Sequence, residues 1–330
     1  MKVEDGAADA AVRRGPAPVR EPFGASAPAR HERPAPVWYS HGLNRMAYYR
    51  VAGAVGGALP RGLRLRMARL AGRAIGRRLA RERGAVRRNL ARVLPALGPS
   101  ALEAKVSETF ANFAVCFADL LTLNRGADAG LSPDVVAIGG DAHLDAGLAH
   151  GRGAILLTAH LANWELAGRL LARLRERPTH VVLSAEQDHA VEGYLRLGGP
   201  HLTFVTRRDA TSTLGLMAAL RRGELVAMQG DRATGERGDA TLPFFGAPAA
   251  FPLGPFVLAR AAGAPVVPAF CAMVPGGGYR ISVEAPIWVE PGEEMSALAA
   301  VVAALERAVR ARPTEWFNFY DVWEGRGGAV

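Results

Sequence analysis

Hydrophobic and polar positions follow two different periods along residues 135–310. Short apolar runs at 155–157 and 181–183 are typical of strands that are buried on both faces. Between such runs lie longer segments in which apolar residues recur every three or four positions, as in helices that cover a sheet. Strands that alternate with helices predict an α/β domain with a mostly parallel central sheet flanked by helices.

The boundaries of these elements follow from the same periods and from the Gly and Pro residues between them. The predicted strands cover residues 135–138, 154–158, 179–184, 202–205, 225–229, 266–273 and 279–283. The predicted helices cover residues 142–149, 164–175, 214–221, 256–262 and 295–310, with a further helix from about 190. A helix from 100 to 121, rich in Phe and Leu, is expected to cover the sheet.

The chain divides into three predicted regions. Residues 1–36 are rich in Ala, Pro, Arg and Gly without apolar periodicity, which predicts a disordered extension. Residues 37–99 form a basic amphipathic helical segment, and residues 100–330 form the α/β domain. Residues 61–92 contain 12 arginines and one acid, Glu82, although the net charge of the whole chain is only +9. The basicity is therefore local and favours an anionic surface partner for this segment.

A helical projection of the basic segment separates two faces, with glycines that predict a break in the helix. One face holds Arg66, Arg69, Arg73, Arg77, Arg81, Arg88 and Arg92, and the other holds Leu65, Ile75, Leu79, Val86, Leu90 and Val93. The basic face is either an ordinary solvated face or a contact with anionic lipid headgroups, and we favour the lipid contact. Residues 38–59 are moderately apolar, which fits an interfacial helix or a helix packed on the body of the protein.

The chain has two cysteines, Cys116 and Cys271, and both lie among apolar residues. This setting predicts buried thiols rather than a disulfide. A reducing location on the cytoplasmic side is therefore expected.

The strongest candidate for chemistry is His160, which follows the predicted strand 154–158. Ligands gather at the carboxyl ends of parallel strands. Asn163 can cap the next helix, whose positive end favours the neutral imidazole that a general base requires. Glu165, in the first turn of that helix, can fix the tautomer of His160 and stabilise its protonated form. The alternative is a polar histidine at a strand end beside a glutamate that only complements the helix dipole.

Residues 158–166, Thr-Ala-His-Leu-Ala-Asn-Trp-Glu-Leu, resemble the His-x4-Glu/Asp motif of the lysophospholipid acyltransferase superfamily. The Asn-Trp-Glu form is similar to the lipid A biosynthesis (lauroyl/myristoyl) acyltransferase branch. Further segments that resemble this family occur in the family order at 88–95, 230–232, 243–246, 258–268 and 313–323. The resemblance covers roughly residues 45–325.

The resemblance implies transfer of a fatty acyl chain from an acyl thioester to a hydroxyl of a membrane glycolipid of the lipid A type. His160 would be the base and Glu165 its support, with neither a metal nor a redox cofactor. The donor would be acyl carrier protein or coenzyme A, and the location the cytoplasmic face of the inner membrane, with anionic lipids as partners. A lysophospholipid or an amino-acid lipid is an alternative acceptor, and a non-catalytic lipid-binding protein of the same fold is an alternative function.

The resemblance also implies a set of substrate-binding residues: Asn163, Asp231, Arg232, Phe244, Phe245 and Gly246. Asp231 and Arg232 would shape the site or hold a phosphate-bearing substrate, unless they only maintain a loop. The Phe-Phe-Gly element would form a wall near the acyl chain, or pack in the core. Glu186, Arg207 and Arg208 are weaker candidates near neighbouring strand ends.

Other functional classes find little support. The sequence contains neither a Gly-x-Ser-x-Gly elbow nor a His-Glu-x-x-His zinc motif. A nucleic-acid partner for residues 61–92 is disfavoured because the basic face lacks interleaved aromatic residues.

Overall fold

The computed structural model describes residues 59–123, 136–166, 176–183, 201–206, 210–234 and 238–324. The predicted disordered extension 1–36 and the apolar segment up to residue 58 lie outside the described residues. So do Glu186, Arg207 and Arg208, and most of the helix predicted at 164–175.

Helices and strands alternate through most of the described chain. The helices are α1 (Arg61–Arg78), α2 (Ala80–Val93), α3 (Pro99–Leu123), α4 (Asp141–Leu148), α5 (Ala210–Arg221), α6 (Gly254–Ala262) and α7 (Glu294–Ala311), with a 3₁₀ turn at Pro313–Glu315. The strands are β1 (Val136–Gly139), β2 (Ala154–Thr158), β3 (Thr179–Leu183), β4 (Leu202–Thr206), β5 (Leu225–Gln229), β6 (Asp239–Phe244), β7 (Ala247–Pro252), β8 (Val266–Val274) and β9 (Gly278–Val283).

Seven of these strands form one sheet in the order β1-β9-β8-β2-β5-β3-β4. Every neighbouring pair in this sheet is parallel except β8 and β9, which are antiparallel. The connection between β8 and β9 contains Gly276 and Gly277, whose positive φ angles of 90° and 89° suit a tight reversal. The predicted α/β architecture with a mostly parallel, helix-flanked sheet is confirmed.

The central strand β2 is buried from both sides, as its continuous apolar run predicts. Ile155 and Leu157 belong to a core that also contains residues of α5, α6 and α7. Ala154 and Leu156 belong to a second core with residues of α2, α3 and α4. Alternate side chains of a strand point to opposite faces, so one short run contributes to both layers.

The two-stranded hairpin β6–β7 was not predicted from the sequence. Pro243, Pro248 and Pro252 lie within these strands, and proline weakens any strand pattern because it lacks a backbone donor. The strands are joined by Phe245 and Gly246, which have φ angles of 48° and 77°. Two consecutive residues with positive φ are typical of the tight turn of a hairpin.

Between residues 61 and 93 the basic segment forms two helices, because the backbone leaves the helical conformation at Leu79. The projected faces are right for α2, where Val86, Leu90 and Val93 are buried. They are right only in part for α1, where Arg66, Arg73 and Arg77 are exposed as predicted but Ile75, projected onto the apolar face, is 39% exposed.

Helix α1 instead contacts α3 through glycines. A Cβ atom added to Gly72 would lie 2.5 Å from the carbonyl oxygen of Phe110, and one added to Gly76 would meet the Phe110 ring at the same distance. Because two glycines bring the backbones so close, the face that packs on α3 is marked by small residues rather than by large apolar ones. Arg69 lies beside this face and donates to Asn112 Oδ1 at 3.1 Å, so it is not part of a solvated face.

Among the described residues, we find no helix long and apolar enough to span a bilayer.

Candidate active site

The register of two parallel strands brings His160 and Asp231 together. Thr158 at the end of β2 is paired with Gln229 at the end of β5. His160 lies two residues beyond the first strand and Asp231 two residues beyond the second. Because parallel strands end at the same edge of a sheet, residues at equal distances from paired strand ends become neighbours.

Gly230 allows the chain after β5 to stay close to β2. Its backbone N–H donates to the carbonyl oxygen of Thr158 at 2.8 Å, which continues the pairing beyond the strand. A Cβ atom at this position would lie 2.9 Å from the side chain of Leu157. Glycine therefore fits where a larger residue would push Asp231 away from β2.

The Asp231 carboxylate binds His160 through both of its oxygens. Oδ1 lies 2.7 Å from Nδ1 of the imidazole. Oδ2 accepts the backbone N–H of His160 at 3.1 Å. An ionised carboxylate can only accept hydrogen bonds, so Nδ1 carries a proton and the lone pair remains on Nε2. This is the orientation that a histidine base has beside an aspartate in hydrolases.

Two side chains of the C-terminal segment, residues 313–323, also donate to Oδ2 of Asp231. The indole Nε1–H of Trp316 does so at 3.0 Å, and the amide of Asn318 at 3.1 Å. Sequence reasoning did not place either residue in the site. Both lie in residues 313–323, which resemble the family, but Trp316 is one of the positions that carry the resemblance and Asn318 is not.

The backbone around His160 pairs with the same C-terminal segment. Phe317 N–H donates to the carbonyl oxygen of His160 at 2.8 Å, and Ala162 N–H donates to that of Glu315 at 2.8 Å. Ala162 has a φ of 45°, a strained value for alanine that such contacts can maintain. The turn that carries His160 is therefore held by a distant part of the chain.

Burial and charge together favour a neutral His160. The residue is 8% exposed, and burial followed by the positive charge of Arg232 lowers its pKa, although Asp231 acts in the opposite direction. Burial raises the pKa of Asp231, but the charge and hydrogen bond of His160, the charge of Arg232 and the Trp316 hydrogen bond outweigh it. The pKa of Asp231 thus lies well below its usual range, and the pair is a neutral imidazole on a carboxylate.

Arg232 contacts the protein around this pair. Its Nε–H donates to Asn318 Oδ1 at 2.7 Å, and its Nη2 donates to the carbonyl oxygen of Phe317 at 2.9 Å. The guanidinium also lies 5.6 Å from the centre of the Tyr320 ring. These contacts fit the predicted role in shaping the site, and binding of a phosphate-bearing substrate stays a prediction.

Asn163 connects the turn after β2 to helix α3. It is 3% exposed, and its side-chain amide donates to the carbonyl oxygen of Cys116 at 2.9 Å. Helical structure begins at the next residue, Trp164, whose ring lies 4.8 Å from that of His160. The contact of Asn163 with substrate stays a prediction.

Glu165 lies in the first helical turn after Asn163 and is partly buried. The sequence predicted that its carboxylate fixes the tautomer of His160. In the structure, Nδ1 of His160 is hydrogen-bonded to Asp231. Sequence reasoning therefore placed Asp231 in the site but did not identify it as the partner of the base, and the role of Glu165 stays a prediction.

The Phe-Phe-Gly element lies at the tip of the β6–β7 hairpin. Phe244 is completely buried and contacts Phe251, Trp316 and Trp323, with ring centroids 5.4, 5.7 and 5.6 Å away. Phe245 is partly buried, with the guanidinium of Arg310 5.0 Å from its ring centre. Phe244 thus packs in the core, while contact of this element with an acyl chain stays a prediction.

Both cysteines are buried free thiols, as predicted. Burial raises the pKa of Cys271 to about 12 and also raises that of Cys116. Neither thiol is therefore a ready nucleophile at neutral pH.

Comparison with known proteins gives a consistent result. The model of the bacterial lipid A biosynthesis acyltransferase family matches residues 45–324, which include His160, Asp231 and the C-terminal segment. Phosphatidylinositol mannoside acyltransferases of two Mycobacterium tuberculosis strains, CDC 1551 / Oshkosh and ATCC 25618 / H37Rv, are each 28% identical over 244 residues. Each alignment covers 72% of this chain and 76% of the relative. The chain is therefore an acyltransferase that belongs to the bacterial lipid A biosynthesis acyltransferase family.

Proposed function

We propose that this acyltransferase moves a fatty acyl chain from an acyl thioester to a hydroxyl of a membrane glycolipid, with His160 as the general base. The observation that carries the proposal is the buried imidazole of His160 with Nδ1 bound to Asp231. The name of the mycobacterial relatives, which act on a phosphatidylinositol mannoside, supports a glycolipid acceptor.

The proposed reaction needs one proton carrier and no acyl-enzyme. Nε2 of His160 takes the proton of the acceptor hydroxyl while the hydroxyl oxygen attacks the thioester carbonyl. Asp231 stabilises the imidazolium that forms. The carbon–sulfur bond then breaks, and the departing thiolate takes the proton back from Nε2. The products are an ester and a free thiol, so the step balances without a redox cofactor.

The test is acyl transfer from palmitoyl-coenzyme A, or the palmitoyl thioester of acyl carrier protein, to a purified phosphatidylinositol mannoside. A lysophospholipid and an amino-acid lipid serve as alternative acceptors, and products are identified by mass spectrometry. We expect an ester on the glycolipid and a preference for one of the two donors. An acylated product with another acceptor alone would overturn the proposed substrate class, and the absence of any product would favour a non-catalytic lipid-binding protein.

The mechanism is tested by substitutions at the base and at the two carboxylates near it. His160→Ala should abolish transfer, whereas His150→Ala, a histidine whose ring packs on Trp288, should leave it unchanged. Comparison of Glu165→Ala with Asp231→Asn shows which carboxylate supports the base. Activity near that of the wild type in His160→Ala would overturn the mechanism.

The exposed face of helix α1 supports the proposal that a membrane surface with anionic lipids is a partner of this protein. Its outward face carries Leu63, Met67 and Leu70, which are 47%, 49% and 64% exposed and recur at helical spacing. The exposed arginines Arg66 and Arg73 lie beside this apolar row. An exposed apolar row flanked by arginines matches a helix that lies in the plane of a headgroup layer. We place this surface on the cytoplasmic face of the inner membrane.

The membrane contact is tested by sedimentation with vesicles of phosphatidylglycerol and of phosphatidylcholine. The triple variant Leu63→Ser/Met67→Ser/Leu70→Ser should lose about tenfold in affinity for the anionic vesicles, because three apolar side chains no longer insert. Leu214→Ser is the matched control, since Leu214 is an exposed leucine (59%) on α5. Unchanged binding of the triple variant would overturn the proposed membrane contact of this face.

A further inference from the structure

Oxygen Oδ2 of Asp231 accepts three hydrogen bonds, all from buried donors. One comes from the backbone of His160, and the other two come from Trp316 and Asn318. Trp316 is 3% exposed and Asn318 is 1% exposed, so water does not compete for these donors. Oδ1 of the same carboxylate is thereby left for the imidazole. The C-terminal segment contributes two of the contacts that orient the carboxylate.

The orientation of the Asn318 amide is determined by its two partners. Its oxygen accepts from Nε of Arg232 at 2.7 Å, and its nitrogen donates to Asp231 at 3.1 Å. Arginine can only donate and an ionised carboxylate can only accept, so the amide cannot be flipped without losing both contacts. Asn318 therefore places the Arg232 guanidinium beside the His160–Asp231 pair.

Helix α2 binds the C-terminal segment on the side that faces away from Asp231. The Asn89 amide donates to the carbonyl oxygens of Asn318 and Tyr320 at 3.0 and 2.8 Å. Its own oxygen accepts the backbone N–H of Val322 at 3.2 Å. Asn89 is 2% exposed, so these contacts are protected from solvent. The segment that reaches Asp231 is thus anchored to a rigid element.

We propose that Trp316 and Asn318 are positioning residues of the acyl transfer, which hold the Asp231 carboxylate aligned on Nδ1 of His160. The proposal rests on the proposed role of His160 as the base. Neither side chain touches the reacting atoms; both act through Asp231. Loss of the Trp316 hydrogen bond should lower kcat while KM changes little, because the indole N–H acts on Asp231 and its loss leaves Arg232 in place.

The chain provides a matched pair of variants for the test. Trp316 and Trp323 both pack against Phe244, with ring centroids 5.7 and 5.6 Å from it. Each indole donates one hydrogen bond, but that of Trp316 goes to Asp231 and that of Trp323 to the carbonyl oxygen of Phe244. Trp316→Phe and Trp323→Phe therefore remove the same group from the same aromatic cluster. We expect kcat to fall about tenfold in Trp316→Phe alone, as one hydrogen bond to a charged group is lost.

The pH dependence of kcat/KM is a second readout that loss of packing alone would not change. The charged groups that shift the pKa of His160 are Asp231 and Arg232. The other acidic residues of the elements next to it are Glu165 in the following helical turn and Glu315 in the C-terminal segment. Asp231 raises the pKa of His160, and a hydrogen bond from Trp316 disperses the negative charge of that carboxylate. In Trp316→Phe the acidic limb of the profile should therefore move to higher pH, whereas Trp323→Phe should keep the limb of the wild type.

The outcomes separate this inference from the proposed function. If His160→Ala is inactive and Trp316→Phe matches Trp323→Phe in kcat and in the acidic limb, the positioning role is overturned while the base remains. If His160→Ala is active, the proposed function itself fails. Should Trp316→Phe not fold, Asn318→Asp carries the test, since it replaces the amide donor with a carboxylate oxygen of similar size. A folded Asn318→Asp with the kcat of the wild type would overturn the inference.

Discussion

Two aspartates of this protein are equally buried but bind different kinds of side chain. Asp231 is 1% exposed and Asp119 is 0% exposed, and each accepts several hydrogen bonds. Asp119 binds Arg61 at 2.6 Å, Arg64 at 3.4 Å and the hydroxyl of Tyr279 at 2.9 Å. Asp231 binds a histidine, an indole and an amide.

The difference between them lies in the partner. Guanidinium groups hold their place through permanent charge and directed donors, so the ion pair of Asp119 joins α1 to α3, and the Tyr279 hydroxyl adds β9. The imidazole beside Asp231 can gain and lose a proton near neutral pH. A buried carboxylate therefore acts as a structural link in one place and, in the proposed mechanism, as the partner of a base in the other. Four predictions test this distinction.

The largest effect is expected for Asp231→Asn. An amide at this position can donate to Nδ1 of His160, which would place the proton on Nε2 and remove the base. We expect kcat for acyl transfer to fall about 10³–10⁴-fold, as in hydrolases with the corresponding change. Circular dichroism should show an intact fold. A variant that keeps more than a tenth of the activity would mean that Asp231 is a structural link like Asp119.

The next effect is on stability. Asp119→Ala leaves two arginines without their buried partner, which should lower the free energy of unfolding by about 3–5 kcal/mol. Glu103→Ala is the control, because Glu103 is 37% exposed and pairs with Arg83 and Arg87 on the surface. It should cost at most about 1 kcal/mol. Urea unfolding measures both. Equal losses in the two variants would show that the Asp119 cluster contributes no more than a surface pair.

The rate of acyl transfer by the wild-type protein should depend on pH as expected for a base that is neutral at neutral pH. The pKa of His160 is lowered from its ordinary value of 6.5, so more than half of the imidazole is neutral at pH 6.5 and transfer should keep more than half of its maximal rate there. It should fall about tenfold for each unit below the pKa of the folded protein. Stability should decline in the same direction, because the lowered pKa values of His160 and Asp231 both favour the unfolded chain as pH falls. Loss of more than half of the activity between pH 7.5 and 6.5 would contradict this assignment.

The smallest effect is expected for Tyr279→Phe, which removes one hydrogen bond to Asp119. The free energy of unfolding should fall by about 1–2 kcal/mol. The kcat per folded molecule should change little, because Asn163, the other side chain that the hydroxyl contacts, stays bonded to the carbonyl oxygen of Cys116. A marked fall in kcat with little loss of stability would show that the two clusters are coupled.

The sequence predicted much of the fold but only part of the site. The strands and helices flanking His160 were predicted because their burial follows from local apolar periods. The hairpin β6–β7 was missed because proline and alanine conceal its alternation. The contact face of α1 was predicted wrongly because it consists of Gly72 and Gly76, which no hydrophobic period marks.

Prediction of the site from the sequence was limited in the same way, to what neighbouring residues determine. His160 was identified from its place after a buried strand, and that inference needed only neighbouring residues. Its partner Asp231 is 71 residues away, and the donors on Asp231 are 85 and 87 residues from it. The local pattern of apolar and polar residues predicts which residues are buried or end a strand, but it does not predict which strands are adjacent in the sheet.

By itself, then, the sequence determined the α/β architecture, the histidine at the end of β2 and the local concentration of positive charge. Only the tertiary structure decided which carboxylate meets that histidine. The physical reason is register: the pairing of Thr158 with Gln229 is a contact between distant segments, selected by packing on both faces of the sheet. The same long-range packing brings Trp316 and Asn318 to Asp231 and separates it in function from Asp119.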